Sequence, residues 1–336
     1  MNPLSFSRIE GQDRAILALV GASARKKLHH GLLFVGPDGV GKRQVARALA
    51  ASTFCSSPQP LQLDPSLREA CGICGPCRRM LAGTHPDFVQ QAPDGRNYKI
   101  EQVRETISVT KYRPAEAGAR FIILDAVDLL RDEAANALLK TLEEPTGETH
   151  FILLTAQPHR LLSTIRSRCL RVAFAPLADA VVARVLVAAG VEATAAAGAA
   201  RLSGGSITRA NAVRETSAYA NRDEIARAIT TLDEASMAEL IALAEAWTKD
   251  KEAVRPMLDL VRALVRDAMV LRAGLPERRL HLDLAPLIDP WSAGRPLQAW
   301  LHVIDQIEQA ERELLGNVNP RMVVENLMLA LRRDSV

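Results

Sequence analysis

Residues 29–43 read HHGLLFVGPDGVGKR, and this stretch decides the fold of the chain. The apolar run at 32–35 predicts a buried strand, and residues 36–42 have the GxxxxGK spacing of a phosphate-binding loop. Glycines in such a loop let backbone N–H groups turn towards a phosphate, and the lysine reaches the outer phosphates. The candidate nucleotide-binding residues of the loop are Gly36, Gly39, Gly41 and Lys42.

The residue after the loop lysine is Arg43, whereas phosphate loops that hold Mg²⁺ have Ser or Thr at this position. A helix is expected over 44–51, which is rich in Ala, Leu and Arg, and its N-terminus favours an anion. The sequence therefore predicts a loop that can form but lacks the hydroxyl that seats the metal. It is either a working nucleotide site or a loop kept for its shape.

Composition restricts the class of protein. A length of 336 residues predicts two or three domains, and 48% hydrophobic with 24% charged residues is ordinary for a soluble globular chain. The formal net charge of +3 is too small to indicate nucleic-acid binding by itself. No apolar run approaches the roughly 18 residues of a membrane span, and the first residues show no signal-peptide pattern. We expect a cytoplasmic protein with no membrane partner.

Four of the five cysteines predict a metal centre. Cys71, Cys74 and Cys77 lie in the segment CGICGPC, and Cys55 precedes them across a polar, proline-rich insert at 56–66. Four thiolates form a closed tetrahedral zinc site with no open position, so we interpret this zinc as structural. Free buried cysteines and an iron–sulfur cluster, which shares thiolate spacing with zinc, are the alternatives.

A second part of the nucleotide site is predicted where two strands end. The strand RFIIL at 120–124 is followed by Asp125, the position of an acidic residue that faces Mg²⁺ in phosphate-loop ATPases. The next residue, Ala126, cannot activate water as the glutamate of active enzymes does, a contribution of about 10²–10⁴-fold. Thr155 ends a strand predicted at 151–154, at a position often beside the γ-phosphate. Alternatively, Asp125 caps the next helix.

Strands alternate with helices up to residue 174, which predicts a parallel sheet covered on both faces. From about 223 onward, apolar residues recur at three- and four-residue steps, which predicts a bundle of helices. The fold class is therefore α/β followed by α. The predicted domains are 1–175, 176–222 and 223–336, and Trp247, Trp291 and Trp300 are expected to pack between helices rather than to form a ligand box.

Several motifs together resemble one family, the delta-prime subunits of the bacterial DNA polymerase III clamp loader, in the AAA+ superfamily. Most of them lie in the first half of the chain, and the match is weaker in the last third. The matching segments are IEGQ at 9–12, the phosphate loop, the four cysteines, HPDF at 85–88, ANALLKTLEEP at 135–145, SRC at 167–169 and NPRMVVENLMLAL at 319–331.

The resemblance implies an AAA+ P-loop domain with a zinc module at about 55–77, a small helical lid domain and a helical collar for oligomerisation. It also implies a pentameric machine that uses ATP to load a sliding clamp on primed DNA. The implied partners are the gamma/tau and delta subunits, with the clamp and DNA reached through the complex. Because Arg43 and Ala126 replace the residues of the catalytic gamma/tau subunits, the resemblance implies a subunit that does not hydrolyse ATP, although ATP binding remains possible.

The resemblance assigns one catalytic role, an arginine finger at Arg168 of the SRC motif that reaches the nucleotide of a neighbouring gamma/tau subunit. A guanidinium is always charged and forks onto phosphate oxygens, which suits that role. Arg166 in the same segment is the competing candidate, and a solvated surface arginine is the other interpretation of Arg168. Arg209 in the predicted lid is displaced by one position from the pattern of the catalytic subunits, which favours a solvated arginine.

Two other functions compete with this one. An active gamma/tau-like ATPase would need Mg²⁺ chemistry despite Arg43 and Ala126. A zinc-stabilised nucleic-acid adaptor would use Arg78 and Arg79, which follow the cysteines, and its DNA binding would depend strongly on salt. The helical C-terminal region would suit either a collar or an isolated helical domain.

Overall fold

The computed structural model describes residues 2–95, 97–116, 118–143, 147–215, 222–316 and 318–332. The chain divides into two compact units. One contains the described residues up to Leu186 together with Gly204–Thr208, and the other contains Val187–Ser203 and the described residues from Arg209 onward. The predicted three domains, divided at 175 and 222, stay a prediction.

A five-stranded parallel sheet forms the centre of the first unit, in the order β4-β5-β6-β1-β7. Its strands are β1 (Gly31–Val35), β4 (Phe88–Gln91), β5 (Arg120–Leu124), β6 (Thr149–Thr155) and β7 (Leu170–Ala173). Every residue of β1, β5 and β6 is buried, as expected for strands covered on both faces. Val35 pairs with Thr155 and Leu124 with Leu153, so the ends of these three strands meet at one edge.

Helices and a hairpin accompany this sheet within the described residues. The helices are α1 (Asp13–Ala24), α2 (Lys42–Phe54), α3 (Gly75–Ala82), α4 (Ile100–Ser108), α5 (Asp132–Glu143) and α6 (Ser163–Arg168). Much of the polar, proline-rich insert at 56–66, for which no strand was predicted, lies in the antiparallel hairpin of β2 (Gln59–Leu61) and β3 (Asp64–Glu69). Pro145, quoted at the end of the LEEP motif, lies outside the described residues.

Most helices from residue 187 onward belong to the second unit, and a cluster of buried apolar residues spans most of these. They are α8 (Ala193–Leu202), α10 (Arg222–Thr230), α11 (Met237–Thr248), α12 (Lys251–Arg272), α13 (Ala285–Ala293), α14 (Leu297–Leu315) and α15 (Pro320–Ala330), while α7 (Asp179–Ala188) and α9 (Ile207–Glu215) contain points where the chain passes between units. Trp291 and Trp300 are buried edge-to-face at 4.5 Å, and Trp247 packs against the same cluster. None of the helices in the described ranges is both long and apolar enough for a membrane span.

The parallel sheet with its helices and the helical region that follows confirm the predicted fold class, α/β followed by α. Strand β4 begins only at Phe88, the last residue of the HPDF motif, and the residues before it contact other segments of the first unit. Asp87 is fully buried and accepts hydrogen bonds from the backbone N–H groups of Ala115 (2.6 Å) and Glu116 (2.8 Å), with Arg120 at 3.7 Å. His85 stacks on Phe54 with ring centroids 4.1 Å apart.

The Asp87 carboxylate should be critical for stability. Asp87→Ala leaves the buried Arg120 guanidinium without its carboxylate and two N–H groups without an acceptor, so we expect the free energy of unfolding to fall by about 3–5 kcal/mol. Asp94→Ala is the control, because Asp94 pairs with Lys99 at the surface and its loss should change stability little. Urea unfolding of both variants measures the difference, and equal effects would contradict this account.

Candidate functional site

Steric contacts explain why the phosphate loop carries its glycines. A Cβ on Gly36 would lie 2.3 Å from the carbonyl oxygen of Phe174, and one on Gly39 would lie 2.4 Å from the backbone nitrogen of Thr208. Gly41 has φ of 99° and caps the N-terminus of α2. A left-handed residue at this point is favourable only for glycine. The loop therefore has the tight, glycine-dependent path that its sequence predicted, with the first N–H groups of α2 beside it.

Lys42 is buried inside this loop. Its Nζ donates to the carbonyl oxygens of Gly36 (2.6 Å) and Pro37 (2.7 Å) and lies 3.5 Å from Oδ1 of Asp38. Burial lowers the pKa of Lys42, although the charges of Asp38, Asp125 and Asp128 act in the opposite direction. An ammonium has three N–H donors, and the two carbonyls use two of them. One donor is left for a phosphate oxygen or for Asp38.

Arg43 forms an ion pair with Asp125, the residue whose carboxylate would face Mg²⁺. Its Nε donates to Oδ2 of Asp125 at 2.6 Å, and its terminal NH2 group pairs with the same oxygen. Asp125 is largely buried, with a side chain that is 15% exposed, and its Oδ1 accepts from the N–H of Ala126 at 3.0 Å. Asp125 does not cap α5, which begins only at Asp132, so the helix-cap alternative is wrong. The structure brings together Arg43 and Asp125, two residues that the sequence analysis had treated separately.

Tyr98, which was not predicted as a site residue, holds the backbone at Asp125, directly after the end of β5. Tyr98 is 3% exposed, and its hydroxyl lies within hydrogen-bonding distance of the carbonyl oxygens of Gln91 (3.0 Å) and Asp125 (2.5 Å). Burial raises the pKa of Tyr98, so the phenol stays protonated and can donate. Directly afterwards, Ala126 adopts φ of 48° and ψ of 49°, a left-handed conformation that is uncommon outside glycine. A tyrosine near no recognisable motif gave no sequence signal for this contact.

Thr155 lies at the same edge of the sheet, as predicted, but its hydroxyl is already used. Oγ1 donates to Oδ1 of Asp128 at 2.6 Å and accepts from the N–H of Gln157 at 2.9 Å. The residue is 1% exposed. Because a hydroxyl has a single proton, the Thr155 hydroxyl cannot also donate to a phosphate while it is bonded to Asp128.

Gln12 of the IEGQ motif connects the loop to the end of the sheet. Its Nε2 donates to the carbonyl oxygens of Ala175 (2.8 Å) and Val40 (3.2 Å), and its Oε1 accepts from the N–H of Ala175 at 3.3 Å. The side chain is buried, so these amide contacts fix the loop in place. Nothing but the motif itself would have indicated this role. Ser206 also donates to the Asp38 carbonyl oxygen, and Ile207 N–H to that of Gly39 (3.2 Å).

The four cysteines converge as predicted. The Sγ atoms of Cys55, Cys71, Cys74 and Cys77 all lie within 4.8 Å of one another. The Cys55 and Cys74 sulfurs are 3.8 Å apart, which equals the separation of about 3.8 Å that tetrahedral zinc with bonds of about 2.3 Å requires. Backbone N–H groups of Cys71 and Cys74 point at the sulfurs of Cys55 (3.3 Å) and Cys71 (3.4 Å). This donor set can hold a metal ion and fits structural zinc.

The electrostatics of the cluster also suit a metal. Burial raises the pKa of Cys74, but hydrogen bonds from the Cys77 backbone and from Ser56 outweigh it and lower that pKa to about 5. Burial raises the pKa of Cys55 and of Cys77. One thiolate is thus favoured by the protein alone. Cys55 and Cys77 would lose their protons on binding a cation, which couples metal binding to proton release.

Arg168 is the last residue of α6, at the edge of the first unit's surface. Its NH1 group donates to the carbonyl oxygen of Thr164 at 3.0 Å, and its NH2 group pairs with the Glu143 carboxylate at the end of α5. Glu143 was part of the quoted LEEP motif, but no sequence pattern indicated this pairing. Arg166 is exposed and has no side-chain partner within the described residues. Arg209 pairs with Asp259 (3.4 Å) inside the second unit.

Comparison with known proteins identifies a single family across the chain. A family model described as "DNA polymerase III, delta subunit" matches residues 11–178, about half of the chain, and one described as "DNA polymerase III, delta subunit, C terminal" matches 217–333. The DNA polymerase III subunit delta' of Bacillus subtilis is 28% identical over 326 residues, which cover 96% of this chain and 97% of that relative. The delta' subunit of Escherichia coli is 40% identical over 153 residues, 45% of this chain and 44% of the relative. The tau subunit of the same organism is 35% identical over 169 residues, 50% of this chain but 25% of the relative.

The cysteine cluster yields a test of metal identity and of its structural role. We expect one zinc ion per chain, measured by elemental analysis of the purified protein. Cys71→Ser should lose this zinc and lower the melting temperature, because the ion stabilises only the folded state. Cys169→Ser removes a cysteine outside the cluster and should retain the full zinc content. Iron in place of zinc, or unchanged zinc in Cys71→Ser, would contradict the assignment.

Proposed function

The chain belongs to the family of DNA polymerase III delta-prime subunits, and on that premise we propose that it is a clamp-loader subunit that does not hydrolyse ATP. It would join gamma/tau and delta subunits in the cytoplasm and help to place the sliding clamp on primed DNA. It would lend an arginine to a neighbouring ATPase site. The observation that carries the non-hydrolysing role is the contact between Arg43 and Asp125.

A phosphate-loop ATPase needs a cation between the strand-end carboxylate and the β- and γ-phosphates. In this chain the guanidinium of Arg43 is hydrogen-bonded to that carboxylate, and the hydroxyl that would complete a Mg²⁺ site is missing. Ala126 offers no carboxylate to activate water, and its left-handed backbone would strain most side chains placed there. These two departures support the loss of hydrolysis independently of each other.

The same geometry supports nucleotide binding without a metal. The remaining N–H of Lys42 and the N–H groups at the start of α2 can donate to phosphate oxygens. Arg43 supplies a fixed positive charge at the place of the metal. We propose that any bound ATP is held without Mg²⁺ and serves the architecture of the subunit rather than chemistry in its own site.

The proposed finger is Arg168. Its side chain is 35% exposed at the C-terminal end of α6, where another subunit can approach it. A guanidinium supplied in trans stabilises the charge that develops on the transferred phosphoryl group, worth about 10³–10⁵ in rate in well-studied cases. Arg166 lies two residues earlier on α6 and serves as the natural comparison.

The second unit supports the proposed collar. Helices α11 and α15 pack against each other. Both retain large apolar side chains at the surface, and larger apolar patches on a protein surface commonly mark interfaces with other chains. The exposed apolar residues on these helices are Met237, Ile241, Met322 and Leu329.

The first test separates this subunit from a motor. The isolated chain should show no ATP turnover above background with Mg²⁺ present. In a complex reconstituted with gamma/tau and delta, Arg168→Ala should assemble normally but lower turnover at the adjacent site by about 10³-fold or more. Arg166→Ala is the control and should retain the normal rate. Brisk turnover by the chain alone would instead support a gamma/tau-like ATPase, and an unchanged rate in Arg168→Ala would remove the finger.

A second test addresses the loop itself. Isothermal titration of the isolated chain with ATP should give the same affinity with Mg²⁺ and with a chelator, because Arg43 replaces the metal. Arg43→Thr frees Asp125 and restores a hydroxyl, so its ATP affinity should become Mg²⁺-dependent. Stronger ATP binding to the natural chain with Mg²⁺ would contradict the proposal. Absence of binding under both conditions would show a loop with a purely architectural role.

A further inference from the structure

The proposed finger does not project freely from the described part of the chain. Its guanidinium turns back along α6, where NH1 donates to the Thr164 carbonyl oxygen at 3.0 Å and to the Ser167 hydroxyl at 3.5 Å. The other terminal nitrogen, NH2, pairs with a carboxylate oxygen of Glu143. Both ends of the fork are therefore engaged within the first unit.

A guanidinium recognises a carboxylate and a phosphate through the same edge, with parallel N–H groups pointing at two oxygens. Glu143 occupies part of the edge that a phosphate would need. From this competition we infer that Glu143 is a latch: it holds Arg168 against α6 in the unassembled subunit until the triphosphate of the neighbouring subunit displaces it. This inference rests on the finger role proposed above.

The strength of the pair decides whether such a latch can open. The side chains of Arg168 and Glu143 are 35% and 46% exposed, so water and salt screen their attraction. Exposed pairs of this kind typically shift an equilibrium by about 1.5- to 5-fold. A triphosphate carries several negative charges and outcompetes one carboxylate. The ion pair is thus weak enough to break when the subunits assemble. Before assembly it is strong enough to limit contacts between Arg168 and other anions.

Arg166 shows that the pairing is selective. It lies on the same short helix and is exposed, yet among the described residues no carboxylate pairs with it. Glu143 therefore meets the proposed finger and not its neighbour. The carboxylate is a positioning residue, since it acts on the neighbouring nucleotide only through Arg168.

The experiment measures the concentration of this subunit that half-saturates ATP turnover by the reconstituted complex, together with the maximal rate. Glu143→Gln keeps the shape of the side chain and removes its charge. We expect the half-saturating concentration to fall by about 1.5- to 5-fold at low salt, because release of Arg168 no longer opposes docking. The maximal rate should not change, and the difference should shrink as ionic strength rises.

Two further variants make the result specific. Glu133→Gln removes an exposed carboxylate at the other end of α5 and should leave the half-saturating concentration unchanged. In the Arg168→Ala background, Glu143→Gln should have no effect, because the coupling between the two sites requires both partners. If Glu143 merely stabilised the fold, Glu143→Gln would change the half-saturating concentration equally in the natural chain and in the Arg168→Ala variant.

The outcomes separate the latch from the function on which it rests. A normal loss of rate in Arg168→Ala, with no effect of Glu143→Gln on half-saturation, would overturn the latch and leave the finger. A higher half-saturating concentration or a lower maximal rate in Glu143→Gln would also overturn it, since Glu143 would then be orienting the finger productively. An unchanged rate in Arg168→Ala would overturn the finger and the latch together.

Discussion

The parallel pairing of β1 with β6 and of β6 with β5 is the constraint on which the rest of the first unit depends. Parallel strands bring their carboxyl ends to one edge of a sheet, so the loop after β1 lies beside the acidic residue after β5. Without that alignment, Arg43 at the start of α2 could not reach Asp125, 82 positions later in the chain. The buried apolar runs of these strands fix the pairing, and the chemistry of the edge follows from it.

The cysteine cluster is connected to the phosphate loop through the N-terminal segment. Glu69, at the end of β3, accepts from the Ser5 hydroxyl (2.7 Å) and the Phe6 N–H (2.8 Å), and Asn2 donates to the Ala70 carbonyl oxygen (2.6 Å). The chain continues from there to Gln12, whose amide holds the loop and the end of the sheet. The metal would thus order the hairpin that anchors the first residues.

The sequence was informative wherever one period or one spacing controls the geometry. Continuous apolar runs predicted β1, β5 and β6, and the Cys71–Cys77 spacing predicted the cluster, because local patterns determine both. Contacts between residues far apart in the chain could not be predicted from the sequence. Tyr98 on the Asp125 carbonyl oxygen depends on how two segments approach in space, and no periodicity records that. The hairpin at 59–69 was missed because its strands are short, polar and interrupted by proline, features that typically indicate a loop.

Arg43 and Arg168 both pair with carboxylates in the first unit, and the surroundings of each carboxylate decide what the pair can do. Asp125 is 15% exposed, accepts a second hydrogen bond from Ala126 N–H and lies where water has little access, so Arg43 has no better partner to leave it for. Glu143 is 46% exposed at a helix end, so Arg168 can exchange it for another anion at little cost. We propose that Arg43 thereby takes the place of a metal ion within its own chain. Arg168 remains the proposed finger for a neighbouring nucleotide, and the different exposure of the two carboxylates supports this distinction.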